Sequence, residues 1–581
     1  MKDAILLFGR GCTSEIISKD GLLLTNHHCG FGNIQKHSTV EHDYLTDGFW
    51  AMNKAEELPN PGLTATLLIE MREITDSVLL YVNDNMTMTE RKAVIGDNIT
   101  RLKTNFEKNS KYKVSIKPFF KGNAYYMMIT EVFKDIRLVG APPSNIGKFG
   151  GDTDNWMWPR HTGDFSLFRI YVDKDGNPAE YSEENVPYQP KFYFPISLDG
   201  VEEGDFTFVF GYPARTNEYL PSDAIEMITE VGNPNKIELR ETRLNIFSRY
   251  AEKDPSVRIK YATKHARVAN YWKKMIGESG GVKRMNGIEA KKEFEDEFTR
   301  WAVSSGNDQY ISLMPEFEKL YGELTPLKVA SEYLMEAGMA IEIVKFASKY
   351  NKLVEISKKE PKNTEAIKSE IEKLKKQNTA FFKDYYEPID KEVMAALLKL
   401  YDEKLTKEYK PDFFNTIHSK YKGDYKAYTD HVFAKSIFDK EEKITSFLDN
   451  YKAKSSKKIE KDPAFIMAYE MRVLYKETLG GQMAIINNAI DWLFYAEQEV
   501  DGAFDLSSKF FDLNQFMVAA PAPATETSEQ LPPAQPAPTA DVEPFLVPAD
   551  MNFVLNADFG KVLYDKMELN NAHGALTVEN Q

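Results

Sequence analysis

Near the start of the chain, the stretch Ile16-Ile17-Ser18-Lys19-Asp20-Gly21-Leu22-Leu23-Leu24-Thr25-Asn26-His27-His28-Cys29 leaves few ways to fold. Two β-rich runs flank Lys19-Asp20-Gly21, and Asp-Gly between such runs is a strong hairpin signal. The second run is apolar and ends in Thr-Asn-His-His-Cys, which predicts a buried strand with histidines at its end. A histidine so placed is held by the sheet while its ring faces a cleft. Fixed position, a solvent-tuned pKa and one free ring nitrogen are what a general base for a serine nucleophile needs. The alternative is two structural histidines after a hairpin, the ordinary role of histidines outside functional sites.

The hairpin with its Thr-Asn-His-His-Cys end resembles the first barrel of chymotrypsin-type serine peptidases. A longer set of strings is more specific. Gly11-Cys12-Thr13 through Gly30, then Glu41-His42-Asp43-Tyr44 and Gly48-Phe49-Trp50-Ala51, resembles the bacterial periplasmic serine dipeptidyl-peptidases of the dipeptidyl-peptidase 7 and 11 type. The likeness runs through roughly residues 3–500 and fails after them. It implies a multidomain α and β fold, a chymotrypsin-like double β-barrel with a large inserted α-helical domain. It implies a hydrolase that releases dipeptides from peptide N-termini, takes oligopeptides with a free N-terminus and needs no cofactor. It gives His28 the role of general base and acid, and it allows a homodimer.

At 581 residues the chain has room for several domains. Hydrophobic content of 42% and aromatic content of 12% can support substantial cores. The net charge of −15 argues against nucleic acid, because phosphate binding needs clustered cations. No apolar run approaches the length of a membrane span. Ala4-Ile5-Leu6-Leu7-Phe8 is too short for a signal peptide and reads as a first strand. The resemblance nonetheless implies an exported protein, periplasmic or at the cell surface, with a leader and an N-terminal segment ahead of Met1. Cys12 and Cys29 bracket the hairpin and can face each other across adjacent strands. From the residues alone, two buried thiols and a disulfide are both open. Export favours the disulfide, which would close a short loop and pin the histidine strand.

Residues 1–190 read as the first β-barrel, with strands over 63–69, 113–120, 124–133 and 136–139 and a helix over 90–108. A loop rich in Gly, Asp, Asn, Pro and aromatics runs from Gly150 to Gly163 and leads into a strand beginning at Asp164. An aspartate there can accept from a histidine ring nitrogen, fixing its tautomer and stabilising the imidazolium. It can equally cap a turn. The resemblance makes Asp164 the orienter of His28. Residues 191–217 resemble the opening strands of the second barrel, and 218–500 the inserted helical domain that covers the cleft. There, Asp390 can cap a helix with Val393, Leu397, Leu400 and Tyr401 on one face. Leu334, Gly338, Ile341 and Val344 make another stripe, and Lys358-Lys359-Glu360 a solvated face. Residues 501–581 form a linker, Pro- and Ala-rich over 519–540, and an unassigned tail. No metal-ligand spacing occurs, since the histidines are scattered and neither cysteine belongs to a Cys-x-x-Cys unit.

A triad needs a serine hydroxyl against the histidine and backbone donors for the oxyanion. The resemblance places that serine in a Gly-Asn-Ser-Gly-Ser-Pro-like string after the helical domain, and this sequence has none. It is therefore expected to be an incomplete or inactive form. Gly277-Glu278-Ser279-Gly280-Gly281 imitates a nucleophile loop. It follows a helical stretch and precedes no strand pair, so Ser279 reads as a decoy at a Gly-rich helix break. The resemblance also assigns the substrate's free amino terminus to Asn155, Trp156 and Asn270. An amide oxygen can accept from an ammonium, and an indole face can border it. Read without the resemblance, Asn155 is turn chemistry and Asn270 an exposed helix residue.

Overall fold

Eleven strands build the first part of the chain. They are β1 (Ile5–Phe8), β2 (Cys12–Ile16), β3 (Leu22–Thr25), β4 (Phe49–Trp50), β5 (Leu58–Pro59), β6 (Ala65–Glu73), β7 (Lys113–Phe119), β8 (Ala124–Phe133), β9 (Asp135–Ala141), β10 (Ser166–Val172) and β11 (Val186–Pro187). The ladder order is β4-β9-β10-β3-β2-β1-β6-β8-β7, with β5 added to β9 and β11 to β10. All of these pairings are antiparallel. The computed structural model describes residues 1–83, 86–108, 110–213, 219–494, 500–508, 511–512, 551–564 and 567–578. They divide into two units, Met1–Trp492 and Leu493–Gln581.

The hairpin forms as its sequence predicts. Gly21 takes φ +67°, and a Cβ there would lie 2.8 Å from the Tyr188 carbonyl oxygen, so the turn needs glycine. Alternate side chains of the sheet enter one core, where Leu6, Ile16, Leu23, Leu138, Phe168 and Ile170 are fully buried. The predicted helix over 90–108 spans Met88–Glu107, with Thr87 and Glu90 forming a reciprocal capping box.

Three expectations change. The strand carrying the histidines stops at Thr25, and His27–His37 is a helix. Residues 191–213, expected as opening strands of a second barrel, carry no strand. A strand needs a ladder partner, and here one backbone bond to β2 (Phe194 N to Ile16 O, 2.9 Å) stands in for one. Val209 is 101% exposed and Leu198 93%, so their apolar side chains have no cover. Finally, Gly277–Gly281 does not break a helix but lies inside one that runs unbroken from Pro255 to Arg284.

From Ser222 to Leu493 the chain is helical. Its core buries Tyr333, Phe346, Tyr350, Tyr401, Phe433 and Phe438 almost completely. Val393, Leu397 and Tyr401 share the buried face of the helix Glu387–Lys404, with Leu400 partly buried beside them. Asp390 does not cap that helix, however. It sits in its first turn and accepts from the Glu342 and Ile343 amides of the helix Glu342–Ser348, at 2.7 and 2.8 Å. Leu334, Gly338, Ile341 and Val344 are all buried, although the chain turns between Gly338 and Glu342. Lys358, Lys359 and Glu360 are solvated.

In the second unit, Val500–Ser508 and Phe511–Asp512 run parallel to Met551–Tyr564, which pairs antiparallel with Met567–Val578. The expected linker over 519–540 lies outside the described residues. No helix among the described residues is long and apolar enough to cross a membrane.

Candidate active site

The register of β3 on β10 pairs Thr25 with Ser166. Asp164 therefore lies beside the residues that follow Thr25. There the chain turns into the helix His27–His37, whose Asn26 cap makes no side-chain bond to its own helix. Asp164 supplies that bond: its Oδ1 accepts from the His28 backbone amide at 3.0 Å. Its Oδ2 is 2.7 Å from His28 Nδ1, and Asn26 Nδ2 donates to the same oxygen at 3.3 Å. The helix can approach this closely because residue 30 is glycine. A Cβ at Gly30 would lie 2.6 Å from Ser166 Oγ, which itself donates to the Asn26 carbonyl.

These contacts assign the ring nitrogens. With Nδ1–H donated to Asp164, Nε2 is left as an acceptor facing the cleft. The His28 side chain is 69% exposed, so substrate can reach it. Burial pushes the Asp164 carboxyl up, but the bonds and charge of His28 outweigh this and hold it below the usual carboxylate value. His27 is the opposite case. It is buried against Phe31 and Gly147, and burial holds its pKa below the usual imidazole value. Of the two histidines, His28 alone meets Asp164 with its ring.

Cys12 and Cys29 form a disulfide, with Cα atoms 6.2 Å apart. It ties β2 to the first turn of the histidine helix. Both sulfurs lie within 4.8 Å of a His28 ring nitrogen, but sulfurs bonded to each other offer no thiolate to a metal ion.

The other wall of the cleft gathers Asn155, Trp156 and Asn270. Asn270 Oδ1 accepts from Asn155 Nδ2 and from Trp156 Nε1, each at 3.0 Å, and Trp156 Nε1 also reaches the Asn270 carbonyl at 3.1 Å. Trp156 holds φ +58°, a left-handed conformation unusual for a bulky side chain and fixed here by its indole bonds. Arg160, missed in the sequence, donates from Nη1 to Asn155 Oδ1 at 3.1 Å and from Nε to Thr162 Oγ1 at 2.7 Å. It sits five positions after Asn155 in the same aromatic loop, the one local signal that could have found it. One acceptor position on Asn155 Oδ1 remains for a ligand donor.

The cleft between these walls holds about 780 Å³, and no serine lines it among the described residues. Ser279 is not part of it. Its hydroxyl donates to the Thr229 carbonyl at 3.0 Å and accepts from Asn233 Nδ2 at 3.1 Å, which is the bonding of a helix-packing residue.

Residues 1–490 match the Peptidase S46 family, and the chain belongs to it. An Asp/Glu-specific dipeptidyl-peptidase of Flavobacterium psychrophilum is 42% identical over 495 residues, covering 85% of this chain and 68% of the relative. A dipeptidyl-peptidase 7 of Phocaeicola vulgatus is 40% identical over 505 residues, with the same two coverages of 85% and 68%. Among solved structures, Porphyromonas endodontalis DPP11 with the dipeptide Arg-Glu superposes with a TM-score of 0.74 at 34% identity, over 85% of this chain and 71% of that one. The chain thus spans about two thirds of the length of these relatives.

Proposed function

We propose that this chain carries part of the machinery of a serine-type dipeptidyl-peptidase. In this reading β1–β11 belong to a chymotrypsin-like first barrel, residues 191–217 stand in the sequence where a second one would begin, and the helices from Ser222 onward are its inserted cap. His28 acts as general base and acid, Asp164 orients it, and Asn155, Trp156 and Asn270 hold the substrate's amino terminus. One observation carries this reading. A histidine–aspartate pair at 2.7 Å shares a cleft with a cluster of amide and indole groups suited to an ammonium. In the same reading the protein meets peptides outside the cytoplasm, in the periplasm or at the cell surface, and the family likeness allows a homodimer.

The 581 residues are proposed to be inactive as they stand, since no serine lines the cleft among the described residues. Losing one member of a triad removes most of the rate. The second reading, a peptide-binding protein of the same fold, follows from the amine cluster sharing a cleft that no serine lines among the described residues. Two assays on residues 1–581 decide between them. Dipeptide release is expected at background, with no labelling by an organophosphate serine probe. A peptide with a free amino terminus is expected to bind at least tenfold more tightly than its acetylated form, and to lose that preference on Asn270→Ala. Labelling of Ser279, abolished by His28→Ala, would overturn the assignment of roles.

A further inference from the structure

A second cavity, of about 320 Å³, lies among the helices next to the cleft. Lys264 and Arg267, on the helix Pro255–Arg284, line both spaces. The floor is apolar: Phe346 stacks on Phe381 with ring centroids 4.0 Å apart, and Val268, Ile389 and Val393 complete it. Around this floor stand five cations, Arg243, Lys264, Arg267, Lys345 and Lys349, in a chain whose net charge is −15.

The two acidic groups in the wall neutralise only one of them, Lys264. Glu342 accepts from Tyr261 Oη at 2.6 Å and from Lys264 Nζ at 2.5 Å. Asp390 is taken up by the two backbone amides of the helix Glu342–Ser348 and by Tyr385 Oη at 3.1 Å. Arg267, Lys345 and Lys349 make no ion pair among the described residues. Arg243 reaches Glu336 at 3.3 Å through Nη1, but its buried Nε has no acceptor. Lys345 and Lys349 stand four residues apart and repel each other. Burial and then that repulsion lower the Lys349 pKa. An anion in the cavity relieves that repulsion.

We infer that this interhelical cavity is a binding site for a small organic carboxylate with an apolar body. Its volume is that of a small ligand site, and an apolar floor with a few convergent polar groups is how such sites are built. The carboxylate meets Arg243, Lys345 and Lys349, and the body lies on the Phe346–Phe381 pair. A free acid and the C-terminal end of a short peptide share this chemistry. The site is separate from the amine cluster, so it stands or falls independently of the reading of His28.

The test is calorimetric titration of the full chain with 3-phenylpropionate, alongside 3-phenylpropionamide and inorganic phosphate. The acid is expected to bind at least tenfold more tightly than the amide and than phosphate. The Lys345→Ala/Lys349→Ala double variant, altered at two exposed positions, is expected to lose at least tenfold while unfolding at the wild-type temperature. Asn270→Ala is expected to leave the affinity unchanged. Displacement of the acid by the dipeptide Ala-Phe would assign the ligand to a peptide terminus, and failure to displace would assign it to a free acid. Either outcome supports the site. Equal binding of acid and amide, equal binding of phosphate, an unaltered double variant, or loss of binding in Asn270→Ala would each overturn it.

Discussion

Asp164 takes three donors at once, the His28 ring, the His28 amide and the Asn26 amide. It therefore fixes a side chain and a helix start together. Its lowered pKa gives a signed expectation. A carboxyl whose folded pKa lies below its unfolded value of about 3.9 adds stability above that value and loses it as pH falls through the folded pKa. Thermal unfolding followed downward from pH 6 should show this loss in the wild type and a flatter profile in Asp164→Asn. The neighbouring histidines separate by burial. His27→Ala empties a packed site against Phe31 and is expected to cost about 3 kcal/mol. His28→Ala removes an exposed ring and is expected to stay within about 1 kcal/mol. Urea titrations of the two variants check the order, and a larger cost at His28 would contradict this account of the site.

Among the elements, what could be read from the sequence was what neighbouring residues decide. Lys19-Asp20-Gly21 turns the hairpin because only local geometry is needed. The strands over 113–133 and the helix expected over 90–108 followed from local signals, although the Thr87 cap that starts that helix was not read. The helix at His27 could not be read, because the group that completes its first turn is Asp164, distant in sequence and delivered by the β3–β10 register. Asp390 misled for the same reason: its position suggests a local cap, and the fold gives its carboxylate to another helix. Within the site, His28 and Asp164 lay in legible strings, whereas the bonds joining Asn155 and Trp156 to Asn270 cross more than a hundred residues. The disulfide belongs to this scale too. Cys12 and Cys29 are 17 residues apart, and closing a loop of that size stabilises by about 3 kcal/mol. The Cys12→Ala/Cys29→Ala double variant should show that loss in urea, and the wild type should match it once reduced. An unchanged midpoint after reduction would mean that the strap adds nothing.

At the scale of the first unit, sheet and helices meet along the cleft. Part of the contact lies at the N-terminal end of the helix Pro255–Arg284. Gln35 donates from Nε2 to the Lys260 carbonyl at 3.2 Å and accepts from the Thr263 amide at 2.8 Å, and Arg258 pairs with Asp43. Beyond Thr263 the same helix carries Arg267, then Asn270, and then packs through Met275 and Ser279 on the neighbouring helices before it ends at Arg284. Mechanically this is a rod of 30 residues joined to the sheet near its first third and carried beyond that point with the helices packed on it. At 1.5 Å per residue, a 10° swing about Thr263 displaces Asn270 by about 2 Å and Arg284 by about 5 Å. If the proposed amine cluster closes on a peptide, a small movement there is magnified at the far tip. Spin labels on Lys19 and Arg284 should report a distance change when a peptide with a free amino terminus is added. Labels on Lys19 and Lys253, on the clamped side, should not. If both pairs move alike, the helix travels as a whole and Gln35 is no pivot; if only the distant pair moves, two hydrogen bonds from one glutamine set the leverage of the entire wall.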